Sequence, residues 1–223
     1  MVILRPTADP DLRHLRHRHV FEAACRAIPG LSTWVDPDRA RPLTDVLPGG
    51  ELINYYRGQR GRDGRPTVPG LICVGDSVCT TTPNFGRGVA LSLMQADQFL
   101  TLFDSSDDVS AVASEFDAWT EANMRPWVED HVWMDEAQGR RWHGEDVDLS
   151  RRLPSDLILA AAEQDPTIAP ETGGYLAMVA GPSSLDGVEP LAHAVYAAGW
   201  RPAPAPGPTR NELAALIRHE MAS

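Results

Sequence analysis

The residues best suited to chemistry stand in the loop 75–88, between a short apolar run and a long apolar segment. Asp76 follows the run 71–74 almost directly, and its carboxylate can accept hydrogen bonds from the hydroxyl groups of a sugar or polyol. Gly86 and Gly88 leave the backbone open to close approach by a ligand. A helix that begins near Gly88 would turn its free N–H groups and the positive end of its dipole toward the loop, which favours negative charge there.

The elements that would position this loop are a strand before it and a helix after it. The run 71–74 is short, apolar and followed by the small residues of the loop, so it predicts a buried parallel strand. Strand, loop and helix in this order form one half of a nucleotide-binding unit. The plain alternative is a strand–helix turn whose glycines only shape the chain. The predicted core helix covers about residues 89–103, with apolar residues at helical spacing: Val89, Leu93, Ala96, Leu100 and Phe103.

The spacing Gly75-Asp76, six residues, Pro83, two residues, Gly86-Arg87-Gly88 resembles the second FAD-binding motif of the flavoprotein monooxygenases and related oxidoreductases. The resemblance implies an α/β fold with part of a glutathione-reductase-like FAD-binding domain. In that family the aspartate, here Asp76, holds the ribityl chain, and the proline, here Pro83, lies beside the flavin ring. The amides of the Gly-x-Gly segment face the N1–C2=O edge of the flavin. The resemblance assigns Gly75 and Arg87 to the same cofactor-binding set and admits NAD(P)H as the electron donor.

Two positions depart from the family pattern, and one motif is absent. Cys79 stands where many members have His, and Gln95 stands where many have Asp before Ala96. We interpret both as subfamily marks that weaken an assignment to the aromatic hydroxylases. The sequence has no Gly-x-Gly-x-x-Gly, the motif that holds the ADP part of FAD in the family. Since the second motif comes late in full-length relatives, we expect this chain to be the C-terminal part of a larger flavoprotein, a truncated product or half of a split one.

Three parts are expected along the chain. Residues 1–66 would be the remnant of a substrate-binding domain, 67–104 the C-terminal part of the FAD-binding domain, and 105–223 a helical region that covers it or contributes to a dimer. The first part would contain strands at 2–4 and 52–56. In its second strand and just after it, the resemblance lets four residues face the substrate side of the flavin: Asn54, Tyr55, Tyr56 and Arg57. The alternative is that the two tyrosines pack a sheet edge.

A helix is expected from Asp9, as its N-cap, to about Ile28. It carries His14, His17 and His19, and two readings are open for them. They could bind a metal ion, or they could belong to a solvated basic face. The second reading is favoured because position 19 lies off the helix face shared by positions 14 and 17.

The C-terminal half predicts several helices. One runs from about residue 109 and is interrupted at Pro126. Further helices are expected at 156–164, 175–180 and 191–198, and a capping box from Thr209 to Glu212 opens the last one. The acidic residues around His131 suggest either a di-metal site or a solvated acidic face, and their spread around the helix favours the solvated face. They are Glu129, Asp130, Asp135 and Glu136.

Composition excludes several classes. A net charge of −11 argues against binding to nucleic acid or to anionic membranes. All basic side chains except histidine are Arg, so no Schiff-base lysine is present in the chain. Cys25, Cys73 and Cys79 form no Cys-x-x-Cys pair. Without a signal peptide or a long apolar stretch, the chain is expected to be cytoplasmic and soluble.

Three functions remain open from the sequence. The first is an FAD-dependent oxidoreductase acting on a small organic molecule, with a monooxygenase preferred over a reductase or a halogenase. The second is a non-catalytic truncated remnant, or a split subunit that needs a partner chain with the Gly-x-Gly-x-x-Gly half. The third is a regulatory module unrelated to flavin. No acid, base or nucleophile is nominated, and a homo-oligomer or a complementary N-terminal half are the expected partners.

Overall fold

The computed structural model describes residues 3–61, 64, 68 and 70–223. Within them the chain is mostly helical, with one two-stranded antiparallel sheet, β1 (Tyr55–Tyr56) and β2 (Cys79–Thr80). The α/β expectation therefore holds only loosely. The α-helices are α1 (Arg18–Ala27), α2 (Pro29–Ser32), α3 (Gly88–Ser105), α4 (Val109–Asn123), α5 (Arg125–Trp142), α6 (Ser155–Ala161), α7 (Ala169–Leu176), α8 (Glu189–Ala197) and α9 (Arg210–Ala222). Short 3₁₀ helices cover Leu12–Arg16, Gly75–Ser77, Pro83–Phe85 and Pro182–Leu185.

Two compact units divide the chain. Unit 1 consists of Met1–Glu51, Gly139–Glu145 and Ala203–Ser223, and unit 2 consists of Leu52–Gln138 and Asp146–Pro202. The linear order of the sequence does not indicate that residues near both ends of the chain belong together. The boundary expected between residues 66 and 67 lies outside the described residues.

Unit 1 is built on the packing of α1 against α9. The capping box that opens α9 is confirmed: Thr209 accepts a hydrogen bond from the Glu212 N–H, and the Glu212 carboxylate accepts one from the Thr209 N–H. The α9 side chains Leu213 and Ile217 are buried. The buried cluster of this unit is Leu12, Leu15, Val20, Ala24, Leu213 and Ile217.

The prediction of a single helix from Asp9 to about Ile28 is wrong, because two separate helices form in this segment. His17 has extended backbone angles and separates the 3₁₀ helix Leu12–Arg16 from α1. Asp9 does not cap a helix, since its buried carboxylate pairs with Arg210 on α9, where Nε lies 3.0 Å from Oδ2. Local capping rules assign Asp9 to the start of a helix, but in the structure Asp9 forms a long-range ion pair with Arg210 instead.

The prediction of a buried strand at residues 71–74 is also wrong. Leu71 and Val74 are 59% and 43% exposed, and the segment belongs to no strand. The strand that forms comes later, at β2, and pairs antiparallel with β1. A short apolar run does not reveal whether a pairing partner exists.

Of the other two predicted strands, at 52–56 and 2–4, only the first forms, in part, within the described residues. The strand expected at 52–56 is confirmed only at Tyr55–Tyr56, which pair with Thr80 and Cys79. Of the strand expected at 2–4, Val2 lies outside the described residues, and Ile3 and Leu4 are in no regular element.

The helix expected after the loop is confirmed as α3, but its predicted buried face is wrong. Leu91 and Gln95 are the buried residues of α3. Phe99 reaches α4, where its ring centroid lies 5.5 Å from that of Phe116. The predicted core residues are instead exposed on the other side: Val89 73%, Leu93 65%, Leu100 60% and Phe103 50%.

Helices surround the larger core in unit 2. The interruption at Pro126 is confirmed, because α4 ends at Asn123 and α5 begins at Arg125. The helix expected at 175–180 is misplaced: α7 ends at Leu176, and Met178 has a positive φ of 57°. The large side chains that are fully buried in this core include Met124, Trp127, Leu153, Ile158, Ile168, Tyr175, Leu185 and Tyr196. No helix in the described part of the chain could span a membrane.

Candidate functional site

The predicted cofactor loop is a chain of tight turns that ends at the start of α3. It begins with the 3₁₀ turn Gly75–Ser77, continues through β2, and enters a second 3₁₀ turn at Pro83–Phe85. Gly86 then takes a left-handed φ of +67°. Such a φ suits glycine and strains other residues, so Gly86 has a conformational reason to be glycine in addition to any ligand.

Gly86 and Gly88 both border open space. A Cβ built on either residue would meet no heavy atom within 4 Å among the described residues. The start of α3 has no side-chain cap, since Arg87 at the N-cap makes no capping hydrogen bond. A ligand that approaches the backbone here would meet amides and the positive end of an 18-residue helix. The residues present therefore fit a negatively charged flavin edge.

Asp76 and Pro83 both lie exposed on this loop. The backbone carbonyl of Asp76 accepts a hydrogen bond from the Thr80 hydroxyl at 3.1 Å. Since Asp76 is exposed, its carboxylate can accept hydrogen bonds from a ligand's hydroxyl groups.

Gln95 fastens the beginning of the loop to α3. Its Oε1 accepts a hydrogen bond from the Gly75 N–H at 2.9 Å, and its Nε2 lies 3.5 Å from the Cys79 sulfur. Gln95 and Cys79 are the two positions that depart from the flavoprotein pattern, and they contact each other. Burial raises the pKa of the Cys79 thiol to about 11, although the Gln95 hydrogen bond opposes that shift.

Asp135 on α5 fastens the middle of the loop. Its Oδ2 accepts hydrogen bonds from Asn54 Nδ2 at 2.7 Å and from Thr82 Oγ1 at 3.0 Å, and its Oδ1 accepts a weaker one from Asn84 at 3.4 Å. Asn54 Oδ1 in turn accepts from the Thr82 N–H at 2.6 Å. The Asn54 side chain therefore stabilises the loop by hydrogen bonds to Asp135 and to the Thr82 backbone.

The other three residues of the β1 region divide between surface and core. Tyr56 packs against the core of unit 2, which agrees with the packing alternative for this residue. Tyr55 is half exposed, and the Arg57 guanidinium lies 5.9 Å from its ring centroid. The structure does not bring these side chains together around a shared centre.

Arg87 fastens the end of the loop from inside the core. The sequence assigns it to the cofactor-binding set, but its side chain is only 6% exposed and its Nη1 lies 3.4 Å from Asp130 Oδ2. Its guanidinium also lies 4.3 Å from the ring centroid of Tyr175 and 4.7 Å from that of Trp127. Since these contacts engage the guanidinium inside the protein, contact with a ligand is left to the Arg87 backbone.

Asp130 is the centre of a buried polar network that sequence reasoning missed. Besides Arg87, it accepts hydrogen bonds from the Ser155 hydroxyl and from the Tyr175 hydroxyl, the latter at 2.6 Å. The expectation that Asp130 lies on a solvated acidic face is therefore wrong, because it is an ion-pair partner in the core. Burial and the neighbouring Asp130 carboxylate raise the pKa of Tyr175, so it stays a neutral donor.

His131 joins this network from one side. Its Nε2 lies 3.5 Å from Arg87 Nη1, its ring packs edge-on against Phe85 at 5.5 Å, and its Nδ1 has no hydrogen-bond partner within the described residues. Burial, followed by the Arg87 charge, lowers the pKa of His131. A neutral imidazole is therefore expected there. The i, i+3 and i+4 spacing of Trp127, Asp130, His131 and Met134 is the sequence signal that could have shown this inward face.

The rings of the three N-terminal histidines lie in a row. The ring centroids of His14 and His17 are 6.1 Å apart, and those of His17 and His19 are 6.2 Å apart. The extended backbone at His17 brings the third ring into the row. Within the described ranges, no group of His, Cys, Asp or Glu has an arrangement suited to a metal ion.

Comparisons of the chain with protein-family models, curated proteins and solved structures found no match. The flavoprotein resemblance is therefore carried by the motif residues between Gly75 and Gly88.

Proposed function

We propose that residues 75–88 form the flavin-facing part of an FAD site. The chain would then act in an FAD-dependent oxidoreductase, with a monooxygenase acting on a small organic molecule as the preferred class. The observation that carries the proposal is the geometry at Gly86 and Gly88, where the motif spacing coincides with open space at the uncapped start of α3. Other described glycines, such as Gly181 and Gly187, also border open space, and helices α7 and α8 also start without a side-chain cap, so the motif spacing is what singles out this loop.

Each motif residue has a role in this proposal. The exposed Asp76 carboxylate would accept hydrogen bonds from the ribityl hydroxyls, and Pro83 would border the ring. The amides at Gly86–Gly88, with the helix behind them, would stabilise negative charge at the flavin edge by about 1 kcal/mol. FAD, when bound, supplies the redox chemistry. The polar contacts of Gln95, Asp135 and Asp130 would keep the loop in the conformation that presents these groups.

The test is the visible absorption spectrum of the purified chain after addition of excess FAD and desalting. Retained flavin bands that are lost in Asp76→Ala and in Gly88→Trp support the proposal. Two matched controls should keep the bands: Asp107→Ala, at another exposed aspartate, and Gly187→Trp, at another glycine that borders open space. A colourless parent chain, or equal loss in variants and controls, would overturn it.

A second candidate function is a subunit whose FAD site is completed by a partner chain. The absence of a Gly-x-Gly-x-x-Gly from the sequence favours this candidate, because that motif holds the ADP part of FAD in the resembled family. A titration with FAD and with FMN tests it. If the ADP contacts belong to another chain, both flavins bind this chain with similar affinity. If FAD binds at least about tenfold more tightly than FMN, this chain holds the ADP part itself and the candidate fails.

A further inference from the structure

Helix α3 is apolar on two nearly opposite faces. One face carries Leu91 and is buried. The other, here called the α3 seam, consists of Val89, Leu93, Ala96, Leu100 and Phe103, of which Ala96 is partly buried and the other four are exposed. Their spacing of four, three, four and three residues is the spacing that packs one helix against another. Surface helices normally carry one apolar face, and a helix that is apolar all round is covered on all sides.

The exposed apolar surface extends beyond the helix. Gly75 is held against α3 by its hydrogen bond to Gln95, and a Cβ on Gly75 would lie 3.1 Å from Ser92 Oγ. Val74, which precedes Gly75 in the chain, is exposed and adds an apolar side chain to the surface next to α3. At 18 residues, α3 is about 27 Å long. A stable interface buries roughly 1,200–2,000 Å² of surface, which is more than one helix face of this length provides. A partner that covers the α3 seam must therefore also contact residues beside it.

The charges that helices α3 and α4 themselves carry are all of one sign, although Arg60 and Arg125 pair with Asp117 and Glu121 of α4. From Gly88 to Asn123, which covers α3 and α4, the sequence contains Asp and Glu but no Arg, Lys or His. The carboxylates of Asp97, Asp104 and Asp108 lie exposed on or next to α3. A second copy of the chain would set these carboxylates against their equivalents, and an anionic lipid surface would repel them. Complementary charge requires Arg or Lys on the partner.

We infer that the α3 seam is a docking surface for a different polypeptide, one that presents an apolar helix edged by Arg or Lys. The partner's apolar side chains would cover the seam, and its basic residues would face the carboxylates of α3 and α4. This inference concerns the surface alone and holds whether or not the chain binds flavin.

The probe is a synthetic amphipathic peptide of about 21 residues, with Leu at the a and d positions and Arg at the flanking positions. A second peptide keeps the leucines and has Glu at the flanks. Fluorescence anisotropy with the labelled peptides measures binding to the full chain. We expect the Arg peptide to bind at least tenfold more tightly than the Glu peptide and to weaken as salt rises, because flanking charges on a surface are screened.

The variant Leu93→Gln/Leu100→Gln removes two side chains of the α3 seam that are already exposed, so folding should be unaffected. Binding of the Arg peptide should fall at least tenfold. The matched control is Leu176→Gln/Val179→Gln, at two apolar residues of unit 2 that are 60% and 83% exposed, and it should bind as the parent chain does.

Four results would overturn the inference. One is that neither peptide binds. The second is equal binding of the two peptides, which removes the charge argument. The third is equal loss in the seam variant and its control. The fourth comes from sedimentation of the chain alone: a dimer that the Leu93→Gln/Leu100→Gln variant converts to a monomer would show that a second copy covers the α3 seam.

Discussion

The Nη1 of Arg87 lies 3.4 Å from Oδ2 of Asp130, and both side chains are buried. Arg87 stands between the two glycines of the loop, whereas Asp130 stands in α5, so this ion pair fastens the start of α3 to the centre of the helical core. The buried Arg87–Asp130 ion pair therefore holds in place the loop whose amides could face a ligand.

Removing Asp130 should be costly. In Asp130→Ala, Arg87 loses its counter-charge while it remains buried, and we expect the free energy of unfolding to fall by about 3–5 kcal/mol. Urea denaturation measures the change. Glu129→Ala, at the exposed neighbouring carboxylate, should cost less than about 1 kcal/mol. Similar small losses in both variants would show that the buried pair contributes little.

Stability should depend on the protonation of His131. Burial and Arg87 lower its pKa in the folded chain from the ordinary value of 6.5, so the unfolded chain takes up the proton first as the pH falls. The stabilisation is complete above pH 6.5 and is lost progressively as the pH drops toward the folded pKa. The loss should reach up to about 1.4 kcal/mol per pH unit. The charged neighbours that face this imidazole are Arg87, Asp130 and Asp135.

Urea denaturation at several pH values between 8 and 5 measures this effect. The variant His131→Gln lacks the titrating group, and subtracting its curve from that of the parent isolates the imidazole. The difference should be constant near pH 8 and should shrink below pH 6.5. A constant difference across the whole range would contradict the prediction.

The contact between Gln95 and Cys79 should control thiol reactivity. Because burial raises the pKa of Cys79 to about 11, alkylation at pH 8 should be slow in the parent chain. Gln95→Ala removes the acceptor of the Gly75 N–H and opens space beside the thiol. We expect it to lower the free energy of unfolding by about 1–3 kcal/mol. Labelling of Cys79, measured by mass spectrometry, should accelerate because the gain in solvent access outweighs the loss of the Gln95 hydrogen bond, which lowers the pKa of the thiol. Gln98→Ala, one turn further along α3, should leave the labelling rate unchanged, and acceleration in both variants would point to general loosening.

The two glycines of the motif should respond in opposite ways to alanine. Gly86→Ala forces a side chain into a left-handed conformation and should destabilise the chain by about 1 kcal/mol. Gly88→Ala adds a helix-favouring residue at the start of α3 and should be neutral or stabilising by up to about 1 kcal/mol. Thermal unfolding distinguishes them. If a flavin approaches this backbone, both variants should weaken flavin binding, so a loss confined to Gly86→Ala would be an effect of folding alone.

Local signals in the sequence determined several features of this protein. The apolar segment after the loop predicts α3, Pro126 predicts the break between α4 and α5, and the pattern from Thr209 to Glu212 predicts the start of α9. Each depends on residues within a few positions of one another, through helix spacing, a missing N–H or a cap. The spacing from Gly75 to Gly88 also located the candidate site, although the sequence alone supplied only a resemblance for its function.

Only the tertiary structure decided which side chains are buried and what they contact. The α3 residues expected in the core are exposed because α3 packs through Leu91 and Gln95 instead. Asp130, expected on a solvated face, is buried because Arg87, Ser155 and Tyr175 converge on it from distant parts of the chain. A period of 3.6 residues shows which residues share a helix face, but contacts between distant segments decide which face meets the core.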